Sequence, residues 1–537
     1  MKERIMILGA GTMQGPAIKI SKEMGLEVIV VDGNQSAEFA KAGERFLNID
    51  LKDKEAIAEA AKQIKGESGL SGIFTAGTDF SATVAYACEK TGLPGIPYEA
   101  ALRASDKALM RACFEKAEVR SPRFTVVTVA DFEGTKKLTI ADFPGINFLS
   151  APLVIKPVDN MGGRGCRKVA NKTELDDAIK EAAIFSASGR VIVEEFMEGP
   201  EYSIDAIVFD GKITICGIAE RHIFFPPYFI EMGHTMPAVL SEADRRELVT
   251  MFEKGVRALG ITMGAAKGDV KLTKKGAAIG EIAARLSGGY MSGWTYPYSS
   301  GVQVTKAAIL IALGRPPKDT KPLFSKTSAE RAFISIPGII HAIKNAENAE
   351  NVEQVENIFL RVAQGSPVDF PQNNVSKCGN VITCSASGDQ AIEAAERVVK
   401  SILFELECPN VATEEFLASY GQADPKFPPD AFAVDAHVKA AADMLPPTRF
   451  AEGDDFALAE FAAFEKSASC DLVGRTVEES LQAVRLLCAL ELPKCSANEA
   501  PKNVTVLGRE FWQAMIRGGY QGASYYLKWN ILNAKKF

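Results

Sequence analysis

Apolar and polar positions along the first hundred residues follow two rhythms. Arg4–Leu8 is a short apolar run, Glu27–Val31 a second one rich in β-branched residues, and Ile73–Thr75 a third. Gly15–Met24 and Ser81–Thr91 instead read as helices. Short buried strands alternating with helices predict a parallel sheet covered by helices. Gly92-Leu-Pro-Gly-Ile-Pro97 punctuates the chain, so residues 1–97 are expected to form a first α/β domain.

From residue 98 to about 320, helices, strands and glycine-rich turns follow one another, closing at Arg315-Pro-Pro317. Ser328–Glu407 is strand-rich, with turns at Pro337-Gly338, Gly365–Pro367 and Cys378–Asn380 and a helix over Asp389–Leu403. This predicts a small β-rich domain over 321–408. After Pro409 the composition shifts to alanine, acidic and aromatic residues, broken by Phe427–Pro429 and Pro446–Pro447. Residues 409–537 are expected to be an extra, mainly helical domain. The fold class is α/β and α+β multidomain.

Composition narrows the function classes. The 537 residues suit three to five domains at about 100–200 residues each. With 47% hydrophobic and 24% charged residues, the chain can bury a large core. No apolar run approaches the roughly 18–20 residues of a membrane span, and the N-terminus lacks a signal-peptide layout. A cytoplasmic protein without a membrane partner is expected. A net charge of −7 argues against a nucleic-acid partner. Ten cysteines without a C-x-x-C pair, and only four histidines, support neither a zinc site nor a disulfide framework.

Several segments carry candidate chemistry. Gly9-Ala-Gly11-Thr-Met-Gln-Gly15, with Asp32 ending the second strand, mimics a dinucleotide fingerprint. Its spacing is G-x-G-x-x-x-G, and a tight strand-to-helix turn without a cofactor is the simpler reading. In Val154–Val169 a strand bearing Lys156 runs into a loop with Gly162, Gly163, Arg164 and Gly165. Such glycines let backbone N–H groups wrap phosphate oxygens while the lysine adds a point charge. A glycine-bearing hairpin with incidental basic residues is the alternative. Arg190–Asp205 is a buried strand ending at Glu194 and Glu195, then a turn through Gly199-Pro200. A strand-to-turn hinge can offer adenine one donor and one acceptor, and Glu201 can accept from ribose hydroxyls; solvated acids flanking a turn are the rival. In Gly264–Gly289, two strands joined at Lys274–Gly276 would bring Asp269 and Glu281 onto adjacent chains, a hard oxygen pair suited to Mg²⁺. A plain cross-strand pair of surface acids is the alternative. Residues two apart on a strand share a face, so Glu281, Ala283 and Arg285 are expected to point one way.

Taken in this order, the segments from Lys2 to Leu403 resemble the ATP-grasp superfamily, with Ser105–Arg111 similar to the helix that opens its grasp domain. The resemblance implies a Rossmann-like pre-ATP-grasp domain over 1–97, an ATP-grasp domain over 98–320 with a mobile lid at about 146–198, and the β-rich domain beyond. It implies that Lys107, Lys156 and Asp159–Gly165 hold the phosphates of ATP, and that Glu194, Glu195 and Phe196 form the adenine hinge. Glu201 then takes the ribose, Asp269 and Glu281 hold Mg²⁺ (or Mn²⁺), and Arg285 sits beside the acyl phosphate as a catalytic residue with Lys156. Position 283 is usually an asparagine ligand in this family and is Ala283 here. Arg285–Gly289 and Pro227–Pro237 look most like the amino-acid-ligase branch, making Arg221, Glu231 and His234 substrate-site candidates.

The activity implied is ATP-dependent joining of a small carboxylate to an amine or other nucleophile through an acyl phosphate, releasing ADP and phosphate. Family members are often homodimers. The rivals are a nucleotide sensor that lost turnover, favoured by Ala283, and a nicotinamide dehydrogenase using Gly9–Gly15 and Asp32. The last 130 or so residues resemble no family.

Overall fold

The computed structural model describes residues 2–128, 146, 149–171, 174–422, 427–451, 453, 455–495 and 502–534, and every candidate site residue lies among them. It comprises two compact units, Met1–Glu330 with Cys384–Ala391, and Arg331–Thr383 with Ile392–Phe537.

In the first unit, β1 (Arg4–Leu8), β2 (Glu27–Asp32), β3 (Arg45–Asn48) and β4 (Gly72–Phe74) form a parallel sheet in the order β3-β2-β1-β4. Ile5 and Ile7 enter one core, and Met6 and Leu8 the other, as the two-residue period of a strand requires. α1 (Gly15–Glu23) lies on the first face, while α2 (Lys54–Ser68) and α3 (Ser81–Thr91) cover the second. The strands and helices expected here form within a residue or two. β3 and α2 went unread because β3 is short and partly exposed, and α2 mixes charge into its apolar stripe.

α4 (Tyr98–Ser105) and α5 (Lys107–Lys116) follow. β5 (Phe124–Thr128), β6 (Leu153–Pro157), β7 (Arg167–Val169) and β8 (Arg190–Glu195) then form an antiparallel sheet in the order β5-β8-β6-β7. α6 (Leu175–Ile184) packs Leu175, Ala178, Ile179 and Ala182 onto Leu153, Ile155, Val191 and Val193.

β9 (Glu201–Phe209), β10 (Lys212–Phe224), β11 (Ile230–Met236), β12 (Gly264–Thr273) and β13 (Gly276–Ala283) build a second antiparallel sheet, ordered β13-β12-β9-β10-β11. β14 (Thr327–Phe333) lies next to β11. α7 (Glu242–Leu259) buries Leu248, Phe252 and Val256 with Met110 and Phe114 of α5. Gly268 is required for that approach, since a Cβ there would stand 2.5 Å from the Phe252 ring.

The second unit contains the antiparallel pairing of residues 355–360 with residues 379–383, and a three-stranded sheet centred on Gly338–Lys344. The region after Pro409 is dominated by helices, as expected, but also holds a parallel sheet in which Asp455–Ala459 pairs with Lys494–Cys495 and Val504–Leu507. Its long helix, Arg509–Ala534, kinks at Gly519 and buries Trp512 against Phe461, Phe464 and Phe511. No described helix is long and apolar enough to cross a membrane.

Candidate active site

The loop after β6 is built for close backbone approach. Gly162, Gly163 and Gly165 have φ of 68°, 75° and 65°, a region that penalises any Cβ. A Cβ at Gly165 would also strike Phe185 at 2.9 Å. Arg164 N and Cys166 N donate back to Met161 and Gly163, folding the loop into successive turns. Asp159, expected among the phosphate groups, instead accepts from Ser186 Oγ at 2.9 Å and from the amides of Ala187 and Ser188. Its carboxylate is committed to anchoring the 186–188 turn, which an anion facing phosphate could not do equally well.

Lys156 Nζ donates to Glu194 Oε2 at 2.8 Å, and Arg111 Nε holds Oε1 of the same carboxylate at 2.7 Å. Burial pushes the Glu194 carboxyl up, but Arg111 and Lys156 outweigh it and keep it ionised. Burial likewise opposes the charge on Lys156, and Glu194 more than offsets it. The Glu194 side chain therefore belongs to a buried ion network rather than to a hinge facing adenine. The amides of Glu195 and Phe196 are also engaged, donating to Arg123 O at 3.0 Å and Pro152 O at 2.9 Å. The Glu195 side chain pairs with Arg123 and accepts from Ser150 N at 2.7 Å. The Phe196 ring carries Lys168 Nζ at 4.0 Å and Lys271 Nζ at 4.9 Å.

In the second antiparallel sheet, the β12–β13 register sets Asp269 directly opposite Glu281. Lys267 Nζ and Arg221 Nη1 contact Asp269, the latter at 2.9 Å, and Lys107 Nζ stands 3.7 Å from Glu281. Burial raises the Glu281 pKa, but Lys107, Lys267, Lys156 and Arg285 outweigh it and hold it down at about 2. Asp79, in the turn after β4, shares the field of Arg285, Glu281, Lys107 and Arg164. Lys107, Lys156, Lys267, Arg221 and Arg285 thus all act on this carboxylate pair. Two adjacent carboxylates in such a setting fit Mg²⁺, which takes one or two carboxylates and completes its shell with phosphate and water. Among the described residues no group of three or more His, Cys, Asp or Glu side chains is arranged to hold a metal ion by itself. Ala283 offers no side-chain oxygen, and the residue opposite it is Lys267.

The facing expected for Arg285 fails in its premise. β13 ends at Ala283, so Arg285 lies beyond the strand and alternation does not govern it. It nevertheless acts on Glu281 electrostatically. Arg285 Nη1 donates to Leu286 O at 2.9 Å and Nη2 lies 3.9 Å from Met161 Sδ; among the described residues it forms no ion pair.

Arg221 is mostly buried and contacts Glu201, Asp269 and Glu231 with one guanidinium. Glu201, expected at the ribose, also has Lys271 Nζ at 3.4 Å. Glu231 Oε2 is 3.4 Å from His234 Nε2, and His234 Nδ1 is 2.7 Å from Glu330 Oε2. Burial opposes protonation of His234, but Glu231 and Glu330 outweigh it and lift its pKa to about 9. The imidazole is therefore cationic at neutral pH. Gly289 closes this corner: a Cβ there would stand 3.0 Å from Glu231 Oε1 and 3.2 Å from His234 Cε1.

The glycine turn after β1 is occupied by its own chain. Gln14 Oε1 accepts from Gly11 N at 3.1 Å, its Nε2 donates to Ala76 O, and its side chain packs over Gly9. Asp32 accepts from the amides of Ala10 and Asn34, both at 2.8 Å. Both halves of the dinucleotide fingerprint are used internally.

Arg111, Lys267, Glu330 and Asp79 were not singled out from sequence. For Arg111 a signal existed, because it follows Lys107 by one helical turn and so shares its face. For Glu330 none did, as its partner lies 96 residues away.

Residues 149–293 match the ATP-grasp domain, 20–95 the ATP-grasp N-terminal domain, and 332–407 the L-amino acid ligase C-terminal domain 2. The chain is 25% identical over 408 residues to an uncharacterized protein of Sinorhizobium fredii, covering 75% of this chain and 82% of that one. It is 29% identical over 262 residues to the alanine–anticapsin ligase of Bacillus subtilis, covering 44% of this chain and 53%, about half, of that relative. The crystal structure of the L-amino acid ligase from Bacillus licheniformis shares the fold, with a TM-score of 0.64 at 21% identity over 76% of this chain and 99% of that one. The chain thus carries an ATP-grasp domain preceded by an ATP-grasp N-terminal domain and followed by an L-amino acid ligase C-terminal domain.

Proposed function

We propose that the protein is an ADP-forming ligase that activates the carboxylate of an amino acid and joins it to the amine of a second one. The observation that carries this reading is Asp269 standing opposite Glu281, with Lys107, Lys156, Lys267 and Arg285 all acting on Glu281. The matches to the L-amino acid ligase C-terminal domain and to alanine–anticapsin ligase support the amino-acid class.

In this reading Lys107, Lys156 and the amides of Gly162–Gly165 bind the phosphates. The segment after Phe196 meets adenine, and Glu201 meets the ribose. Asp269 and Glu281 would hold Mg²⁺ (or Mn²⁺), which supplies charge neutralisation on the phosphate oxygens. A substrate carboxylate oxygen bonds to the γ-phosphorus as the bond to the ADP oxygen breaks. Arg285, free of any carboxylate partner among the described residues, is placed to neutralise charge developing on the moving phosphoryl group. The amine nitrogen then attacks the acyl carbon, the C–O bond to phosphate breaks, and the amine proton is released. Glu231 and cationic His234 line the side from which the substrates are held. Excluding water there protects the acyl phosphate from hydrolysis.

Phosphate release from ATP, measured with L-amino acids singly and in pairs, tests the reading. Release that needs a pair and yields an amide-linked product is expected. ATP hydrolysis indifferent to every amino acid and dicarboxylate tried would count against it.

A further inference from the structure

Arg111 lies between the two halves of the site and touches both. Its side chain is fully buried, and its three nitrogens point in three directions. Nε holds Glu194 Oε1 at 2.7 Å, and Glu194 in turn holds Lys156. Nη2 donates to Gly280 O at 2.6 Å. Nη1 is buried without a hydrogen-bond partner among the described residues.

Gly280 is the telling contact. The β12–β13 register pairs Asp269 with Glu281 and then Val270 with Ile279, so Gly280 is the extra residue of a β-bulge. That bulge brings Glu281 opposite Asp269. A one-residue slip would turn Glu281 to the other face of the sheet. The guanidinium thus secures the bulged carbonyl on one arm and the phosphate-side ion pair on another. α5 adds Lys107 one turn earlier, whose Nζ donates to Asn160 O at 2.6 Å and approaches Glu281.

We propose that Arg111 is a positioning residue that sets the separation between the phosphate-binding Lys156 and the metal-facing Glu281. The inference rests on the reading of the site given above. A lysine keeps the charge but has no planar fork and cannot reach Glu194 and Gly280 from fixed directions at once.

The test uses the full chain, a non-hydrolysable ATP analogue and Mn²⁺ followed by its electron paramagnetic resonance signal. Arg111→Lys is expected to bind the analogue within a few-fold of wild type while Mn²⁺ affinity in the ternary complex falls roughly 10–100-fold, as for residues that orient metal ligands. The bound Mn²⁺ spectrum should change as well, which a loss of stability alone does not produce. If Arg111→Lys does not fold, Arg111→Met combined with Glu194→Gln removes the buried pair together and carries the same expectation. Mn²⁺ affinity and spectrum unchanged in a folded variant would overturn the inference and leave the site reading standing. A wild-type chain that binds neither analogue nor Mn²⁺ would overturn both.

Discussion

Arg221 Nη1 lies 2.9 Å from Asp269 Oδ1, and the same guanidinium also reaches Glu201 and Glu231. The acids proposed for ribose, metal and substrate thus share one buried cation. A divalent ion arriving at Asp269 competes with Arg221, and the guanidinium can then lean on the other two carboxylates. Arg221→Met removes the charge and leaves three partly buried acids without it. Breaking buried pairs in this way costs about 3–5 kcal/mol. Urea unfolding should show the loss as a lower midpoint, and an unchanged midpoint would show that solvent already satisfies these acids.

Glu281→Gln keeps the shape of the side chain and removes its charge. Loss of one such electrostatic group lowers turnover by about 10²-fold or more. ADP release at saturating Mg²⁺ should fall accordingly while circular dichroism stays native. Undiminished turnover would make Asp269 and Glu281 an ordinary cross-strand pair.

ATP with Mg²⁺ should raise the melting temperature, because a ligand that binds only the folded chain stabilises it. NAD and NADP should not, since Gln14 fills the turn after β1 and Asp32 is spent on two amides. Equal protection by NAD would reverse that assignment.

What was legible in the sequence depended on how far the chain travels between partners. The Lys156 strand and its glycine loop are contiguous, so their chemistry could be read directly. Asp269 and Glu281 flank one tight turn, and a hairpin's register follows from its turn. The Gly280 bulge could not be counted in advance, and the end of β13 at Ala283 removed the basis for the facing expected for Arg285. Glu194 read as a hinge acid because its partner Arg111 lies 83 residues away, and Gly280 is 169 residues from the same arginine. Only tertiary packing brings those groups together.

Arg285→Ala should lower kcat by an amount worth roughly 2–4 kcal/mol while ATP affinity changes a few-fold at most. The reason is that Arg285 has no acid partner among the described residues, so its removal orphans no buried charge. Arg285→Lys should be nearly as damaging, because the fork is lost. Loss of ATP binding in Arg285→Ala would make the arginine a ground-state contact instead.

His234 gives a pH dependence with a definite sign. Its pKa is raised from 6.5 to about 9 in the folded chain, where Glu231 and Glu330 overcome the cost of burial. The folded state therefore binds a proton that the unfolded chain gives up near pH 6.5. The resulting stability is fully present below that value and is lost as pH rises towards 9. A tenfold gain in proton affinity is worth about 1.4 kcal/mol, so the whole effect is on the order of 3 kcal/mol. Buried cysteines such as Cys88 and Cys216, raised from 9.0 to about 12, add a similar loss only at higher pH. Denaturant unfolding between pH 6 and 8.5 isolates the histidine, and stability should fall steadily across that range. His234→Gln should be less stable at pH 6 and should flatten the slope. A wild-type stability that is level over this window, or a slope that survives in His234→Gln, would mean that the imidazole is neutral between its two glutamates.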